Sequence, residues 1–165
     1  MMIEMPNFVA VIPEIFVLSM ACIILIADLY VSDDRRVITY LLSLATLVVA
    51  AMLTINLHVT ETIYTFSGTF IKDPMSDVLK LFVYLVTAIV FIYARGYLAE
   101  RNLFKGEFYV LGLFGVLGMM IMISAHNFLT IYLGLELLSL SLYAMVALQR
   151  DSVRATEAAM KYFVL

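Results

Sequence analysis

Apolar residues fall along this chain in long unbroken blocks, and polar residues gather in the short stretches between them. The blocks show neither the two-residue alternation of a half-buried strand nor the narrow stripe of a surface helix. About 20 apolar residues, at 1.5 Å each, cross the hydrocarbon core of a bilayer. By that ruler the spans are 8–30, 37–57, 75–94, 108–124 and 128–148, and a sixth opens at 153 and runs to 165. The pattern predicts an all-α fold. It is a polytopic transmembrane helix bundle with five complete spans and an incomplete sixth, forming one membrane domain over 1–165. The longest polar break is 58–73, where Thr62 to Phe66 alternates polar with apolar and Ser67-Gly68 marks a turn. A short β-hairpin is expected there. Pro74 suits the first turn of the third helix, where no backbone donor is missed. Gly112, Gly115 and Gly118 recur at three-residue intervals in the fourth span, a groove for close helix contact.

Composition places the chain in the membrane. It is 64% apolar and 14% charged, with a mean hydropathy of +1.04. Soluble domains are about 45–50% apolar and about 25% charged. A soluble enzyme and a nucleic-acid binder are both excluded, because most of the basic residues stand at loop ends, where they mark topology. Cys22 lies inside the first span as a small packing residue, and a single cysteine allows no internal disulfide. The first residues carry Glu4 and no Lys or Arg, so no cleavable signal is expected and the first span reads as retained.

Charge location then sets an orientation. Arg35 and Arg36 follow the first span. Arg95, Arg101 and Lys105 follow the third, and Arg150 and Arg154 follow the fifth. The alternate connections hold only Lys72, with Lys80 just inside the third span. Seven basic residues against two put the N-terminus outside and the basic connections in the cytoplasm. Tyr30, Tyr40, Tyr93, Tyr97 and Tyr109 are expected to form an aromatic belt near the inner ends.

The candidate chemistry rests on Glu136, about nine residues into the fifth span and so roughly 13 Å deep. A carboxylate near mid-membrane costs roughly 2.5–3.5 kcal/mol and marks an ion or proton pathway by default. Burial favours the neutral acid and a nearby cation the carboxylate, so moderate charge displacement switches such a group. The plainer alternative is a protonated acid bonded to a neighbouring helix as glue. Lys161, roughly 10 Å in from the inner surface, is either its charge partner or a lysine that snorkels to the interface. The two helices run in opposite directions and side chains lean toward their own N-termini, so a pair coupled through water or polar groups is expected. Ser139 shares the Glu136 face, or bonds its own backbone. Glu14 and Asp28 are expected at the interfaces, and Asp77 with Lys80 as a local ion pair three residues apart. Scattered His58 and His126 offer no ligand spacing, so neither haem nor metal is expected in this chain.

The stretch from Asn127 through Glu136 to Tyr143, followed by Arg150 to Leu165, resembles the antiporter-like subunits of respiratory complex I, NADH-quinone oxidoreductase. The likeness extends back through Gly68 to Met75. Glu157-Ala-Ala-Met-Lys-Tyr-Phe163 favours the N-type chains over their sisters. The resemblance implies a proton-translocating subunit of the bacterial inner membrane, of about fourteen helices, with this chain its N-terminal part. Glu136 matches the glutamate of the proton relay, and Lys161 matches a lysine of the sixth helix. The lysines of later helices have no counterpart, so the 165 residues alone are not expected to pump. NAD, flavin, iron–sulfur clusters and quinone would be held by partner subunits. The partners implied are lipid and other membrane subunits of the complex, not nucleic acid. Two alternatives are a subunit of a multi-subunit sodium/proton antiporter and a non-transporting assembly or scaffold piece.

Overall fold

The structure, a computed structural model, describes residues 6–31, 36–100, 105–149 and 152–164. Glu4, Arg35, Arg101, Arg150 and Leu165 of the sequence reading lie outside them. One turn of 3-10 helix, Phe8–Val11, leads into α1, Ile12–Tyr30. Then come α2 (Val37–Asn56), β1 (Ile63–Thr65), β2 (Phe70–Lys72), α3 (Pro74–Glu100), α4 (Gly106–Ile123), α5 (Phe128–Val146) and α6 (Val153–Val164). Among the described residues five helices are long and apolar enough to cross a membrane, and α6 is not one of them. The expected bundle is therefore present, with its short sixth helix.

Local chemistry sets the helix starts. Asp73 Oδ1 accepts from Ser76 N at 2.8 Å, and Ser76 Oγ accepts from Asp73 N at 3.1 Å. This reciprocal cap, with Pro74 as the first helical residue, opens α3. Asn127 Oδ1 accepts from Thr130 N at 2.8 Å and opens α5. At its far end α3 outlasts its apolar block, continuing to Glu100 instead of stopping at 94. The block marks where a helix meets oil; Tyr97, Leu98, Ala99 and Glu100 still favour helix once outside it.

The expected hairpin forms. Tyr64 pairs with Ile71 and Thr65 with Phe70 in antiparallel register. Phe66 and Ser67 take φ of 54° and 56° and Gly68 takes 80°, so Gly68 absorbs the left-handed step at no steric cost. The hairpin is tied to the α4–α5 turn, because Ile71 N donates to Ser124 O and His126 N donates to Thr69 O.

Helix α4 lies at the centre, packed against α1, α2, α3 and α5. The core gathers Val17, Leu47, Phe91, Leu113, Val116 and Met120 around it. Its glycines divide the contacts. Gly118 meets the α5 backbone: a Cβ there would stand 2.8 Å from Gly134 O and 2.8 Å from Leu138 N. Gly112 instead receives the Phe91 ring of α3. The three glycines thus serve two neighbours and not one groove. The tyrosine belt is also revised. Tyr30 and Tyr93 face outward, but Tyr40 and Tyr109 are buried, 5.4 Å apart edge to face. The Arg95 guanidinium lies over the Tyr40 ring at 5.0 Å. A buried tyrosine supplies core area while its polar end finds a partner, and hydropathy alone does not separate that use from a belt. Cys22, expected as a packing residue, is exposed on the outer face of α1.

Candidate functional site

Glu136 lies in the middle of α5 and is half-buried. The close α4–α5 contact uses Gly134 and Leu138. At 100° per residue this turns Glu136 to the opposite side of the helix. Tyr132, one turn earlier, hydrogen-bonds the Glu136 side chain, an i, i+4 pair on one face. Tyr143, two turns later, also shares that face and meets the rings of Tyr162 and Phe163 at 4.7 and 5.5 Å. The site is therefore the α5 face that looks toward α6. Ser139 is half-buried beside it. Ser141 donates to Leu137 O at 2.7 Å and is spent on its own backbone.

Lys161 is held elsewhere. Its Nζ donates to Glu157 Oε1 at 2.6 Å, with both side chains mostly exposed. Tyr143, Ala144 and Ala147 on one side and Thr156, Ala159, Met160 and Phe163 on the other line an open cavity between α5 and α6. Lys161 falls on a different side of α6 from that row. Glu136 and Lys161 thus have separate partners, and no ion pair joins them among the described residues. At the foot of α5, Lys105 Nζ donates to Leu148 O at 3.3 Å, a cation at a helix C-terminus.

The larger departure from the sequence reading is at the hairpin end. Glu14, expected at an interface, is 4% exposed. Lys80, expected to pair with Asp77 on its own helix, instead reaches α1, its Nζ 2.5 Å from Glu14 Oε1. The contact is one of charges and lacks hydrogen-bond alignment, so both Glu14 oxygens stand without a hydrogen-bond partner. Asp77 Oδ2 pairs with His58 Nδ1 at 3.0 Å. Lys72, on the inner face of the hairpin, is 2% exposed. Burial holds it below the ordinary lysine value of 10.5; Asp77 and Glu14 act against that shift, and Lys80 adds to it. The signal for this cluster was four ionisable groups at neighbouring helix ends, but local spacing pointed to the wrong partners. Asp28, at the opposite end, accepts from Thr39 Oγ1 at 2.7 Å, and its carboxyl packs on Gly106 at the start of α4. Among the described residues no three His, Cys, Asp or Glu side chains come together as a metal site would require.

Five long apolar helices, a capping hairpin and a carboxyl group inside one helix define a multi-pass helical membrane protein. Residues 125–165, which hold α5, α6 and Glu136, match the family described as NADH:quinone oxidoreductase/Mrp antiporter, TM. The chain is 66% identical over 165 residues to NADH-quinone oxidoreductase subunit N of Thioalkalivibrio sulfidiphilus, covering 100% of this chain and 34% of that one. Over the same shares it is 60% identical to subunit N of Thiobacillus denitrificans. Its fold is similar to a chain of respiratory complex I from Thermus thermophilus with bound Aureothin. The TM-score is 0.73 over 92% of this chain and 32% of that chain, at 23% identity. The resemblance read from the sequence is borne out: along its whole length the chain is related to the antiporter-like subunit N of NADH-quinone oxidoreductase. It spans about a third of the length of the curated relatives it matches.

Proposed function

We propose that the chain forms part of a proton-translocating membrane subunit of NADH-quinone oxidoreductase, in which quinone reduction elsewhere in the enzyme drives proton movement. The observation that carries this reading is Glu136, an ionisable side chain in the middle of α5 and inside the residues that match the family. NAD, flavin, iron–sulfur clusters and quinone belong to partner subunits, and this chain meets lipid and other membrane subunits. In this reading the hairpin faces outside a bacterial inner membrane and the basic connections face the cytoplasm, as the positive-inside rule expects.

In this reading Glu136 is the titrating carboxyl group and Lys161 the cation that modulates it. A cation drawn near Glu136 favours the carboxylate, and its withdrawal favours the acid. The Lys161–Glu157 pair is exposed and one helical turn apart, a type that contributes only about 0.3–0.5 kcal/mol. Little therefore holds the lysine in that position. The test is Glu136→Gln in the full-length subunit of the assembled enzyme. Proton translocation per electron pair is expected to fall; unchanged translocation at unchanged electron transfer would remove Glu136 from the path. The matched family description also names the Mrp antiporter, which supports a second reading as a sodium/proton antiporter subunit. Neighbouring genes decide between them: dehydrogenase subunits favour the first, antiporter subunits the second.

A further inference from the structure

The hairpin end encloses ionisable groups for which the Glu136 path has no use. Glu14 of α1, Lys72 of β2, and Asp77 and Lys80 of α3 are each at most 4% exposed. Their formal charges balance, two acids against two bases. His58, between α2 and β1, is paired with Asp77 and keeps 47% of its side chain exposed. Of these five described residues it is the one with substantial exposure. Asp77 Oδ1 and both Glu14 oxygens lack hydrogen-bond partners, so the cluster keeps acceptor capacity for protons. Tyr84, one turn beyond Lys80, closes the floor with Thr54 of α2, their hydroxyls 3.4 Å apart. On the other face of the hairpin Tyr64 is occupied with His126, rings 5.1 Å apart.

We infer that His58, Asp77, Lys72, Lys80 and Glu14 bind protons as a single site, which exchanges with the surroundings through His58. A proton arriving at Nε2 of His58 makes the imidazolium. Its Nδ1 proton then passes to Asp77 Oδ2, and the imidazole is left neutral in its other tautomer. The net transfer is one proton from solvent to a buried carboxylate, with no other bond changed. The other members feel that added charge strongly, because the interior screens it far less than water does. Interacting groups of this kind titrate as a unit. Lys72, held below the ordinary lysine value by burial, is a second place where the site can release a proton. If the hairpin faces outside, this site lies on the side that receives translocated protons, though it stands without the Glu136 reading.

The test uses the assembled enzyme whose subunit carries these residues, with diethyl pyrocarbonate as the probe. The rate of modification of His58 against pH, read by mass spectrometry, gives the titration midpoint of that one imidazole. Asp77→Asn is expected to lower the midpoint most, since an adjoining carboxylate favours the imidazolium. Lys72→Gln is expected to raise it, and Glu14→Gln, on another helix, to lower it by a smaller step. Opposite signs from opposite charges are not what local distortion produces. Midpoints unchanged by both Glu14→Gln and Lys72→Gln would overturn the shared site, and those two variants decide the matter if Asp77→Asn fails to assemble.

Discussion

Glu14 in α1 and Glu136 in α5 are both carboxyl groups set in apolar helices, and the fold treats them in opposite ways. Glu14 is buried and faces a lysine from another helix at 2.5 Å. Glu136 stays half-buried, and its hydrogen bond comes from Tyr132 of its own helix. The contrast shows that a carboxyl group within an apolar helix is defined by which neighbours reach it. An enclosed charge with a fixed counter-ion is built into the structure, because removing either partner strands the other. A charge whose partner lies on its own helix is left open to a mobile one.

The comparison is tested most severely by breaking the enclosed pair. Lys80→Met leaves Glu14 without its cation and is expected to cost about 3–5 kcal/mol of folding stability. The double variant with Glu14→Leu should recover most of that, as paired apolar replacements of buried ions commonly do. Reversible unfolding in mixed micelles measures both; a single-variant cost below about 1 kcal/mol would show that the pair is not ionic.

The next effect concerns the helix that presents Glu136. Gly118→Val drives a side chain into the α5 backbone, and overpacking of this kind costs about 1–3 kcal/mol. Gly115→Ala should be nearly silent, because its Cβ would meet only Leu138 Cδ1 at 3.6 Å, an ordinary contact. Equal losses from the two would refute the Gly118–Gly134 crossing.

A pH titration of stability sharpens the hairpin side. Lys72 titrates below the ordinary lysine value of 10.5, so the unfolded chain holds that proton more tightly than the folded one. The cost is full below the lowered value and fades as pH rises from there toward 10.5, so alkalinity stabilises the hairpin end across that interval. Lys72→Met should flatten that segment of the curve, and an unchanged curve would assign the pH dependence to another group.

The smallest effects belong to the open side. Lys161→Met should change stability by less than about 0.5 kcal/mol, since its pair with Glu157 is exposed. Tyr132→Phe should leave folding unaltered while changing the infrared carboxyl band of Glu136. A large loss of stability from either would show that the α5–α6 face helps to hold the fold, as the Glu14–Lys80 pair does.

Much of the fold was legible because the relevant information is local. The apolar blocks of the first five spans become the five long helices, Ser67-Gly68 becomes the hairpin turn, and Pro74 becomes the first residue of α3. The candidate carboxylate was legible too, since one charge in a long apolar run has no local explanation. Partners were not. Asp77 and Lys80 sit three residues apart, yet each pairs with a residue distant in sequence. Tyr40 and Tyr109, which hydropathy assigns to a belt, turn inward onto each other.

By itself the sequence determined how many times the chain crosses an apolar layer and where an ionisable group interrupts it, because the cost of placing polar groups in oil is a sum over neighbouring residues. Only the tertiary structure decided which charge faces which, that Gly118 meets Gly134, and that Glu136 looks away from α4. Those outcomes depend on the rotation and spacing of helices packed side by side, which no single segment encodes.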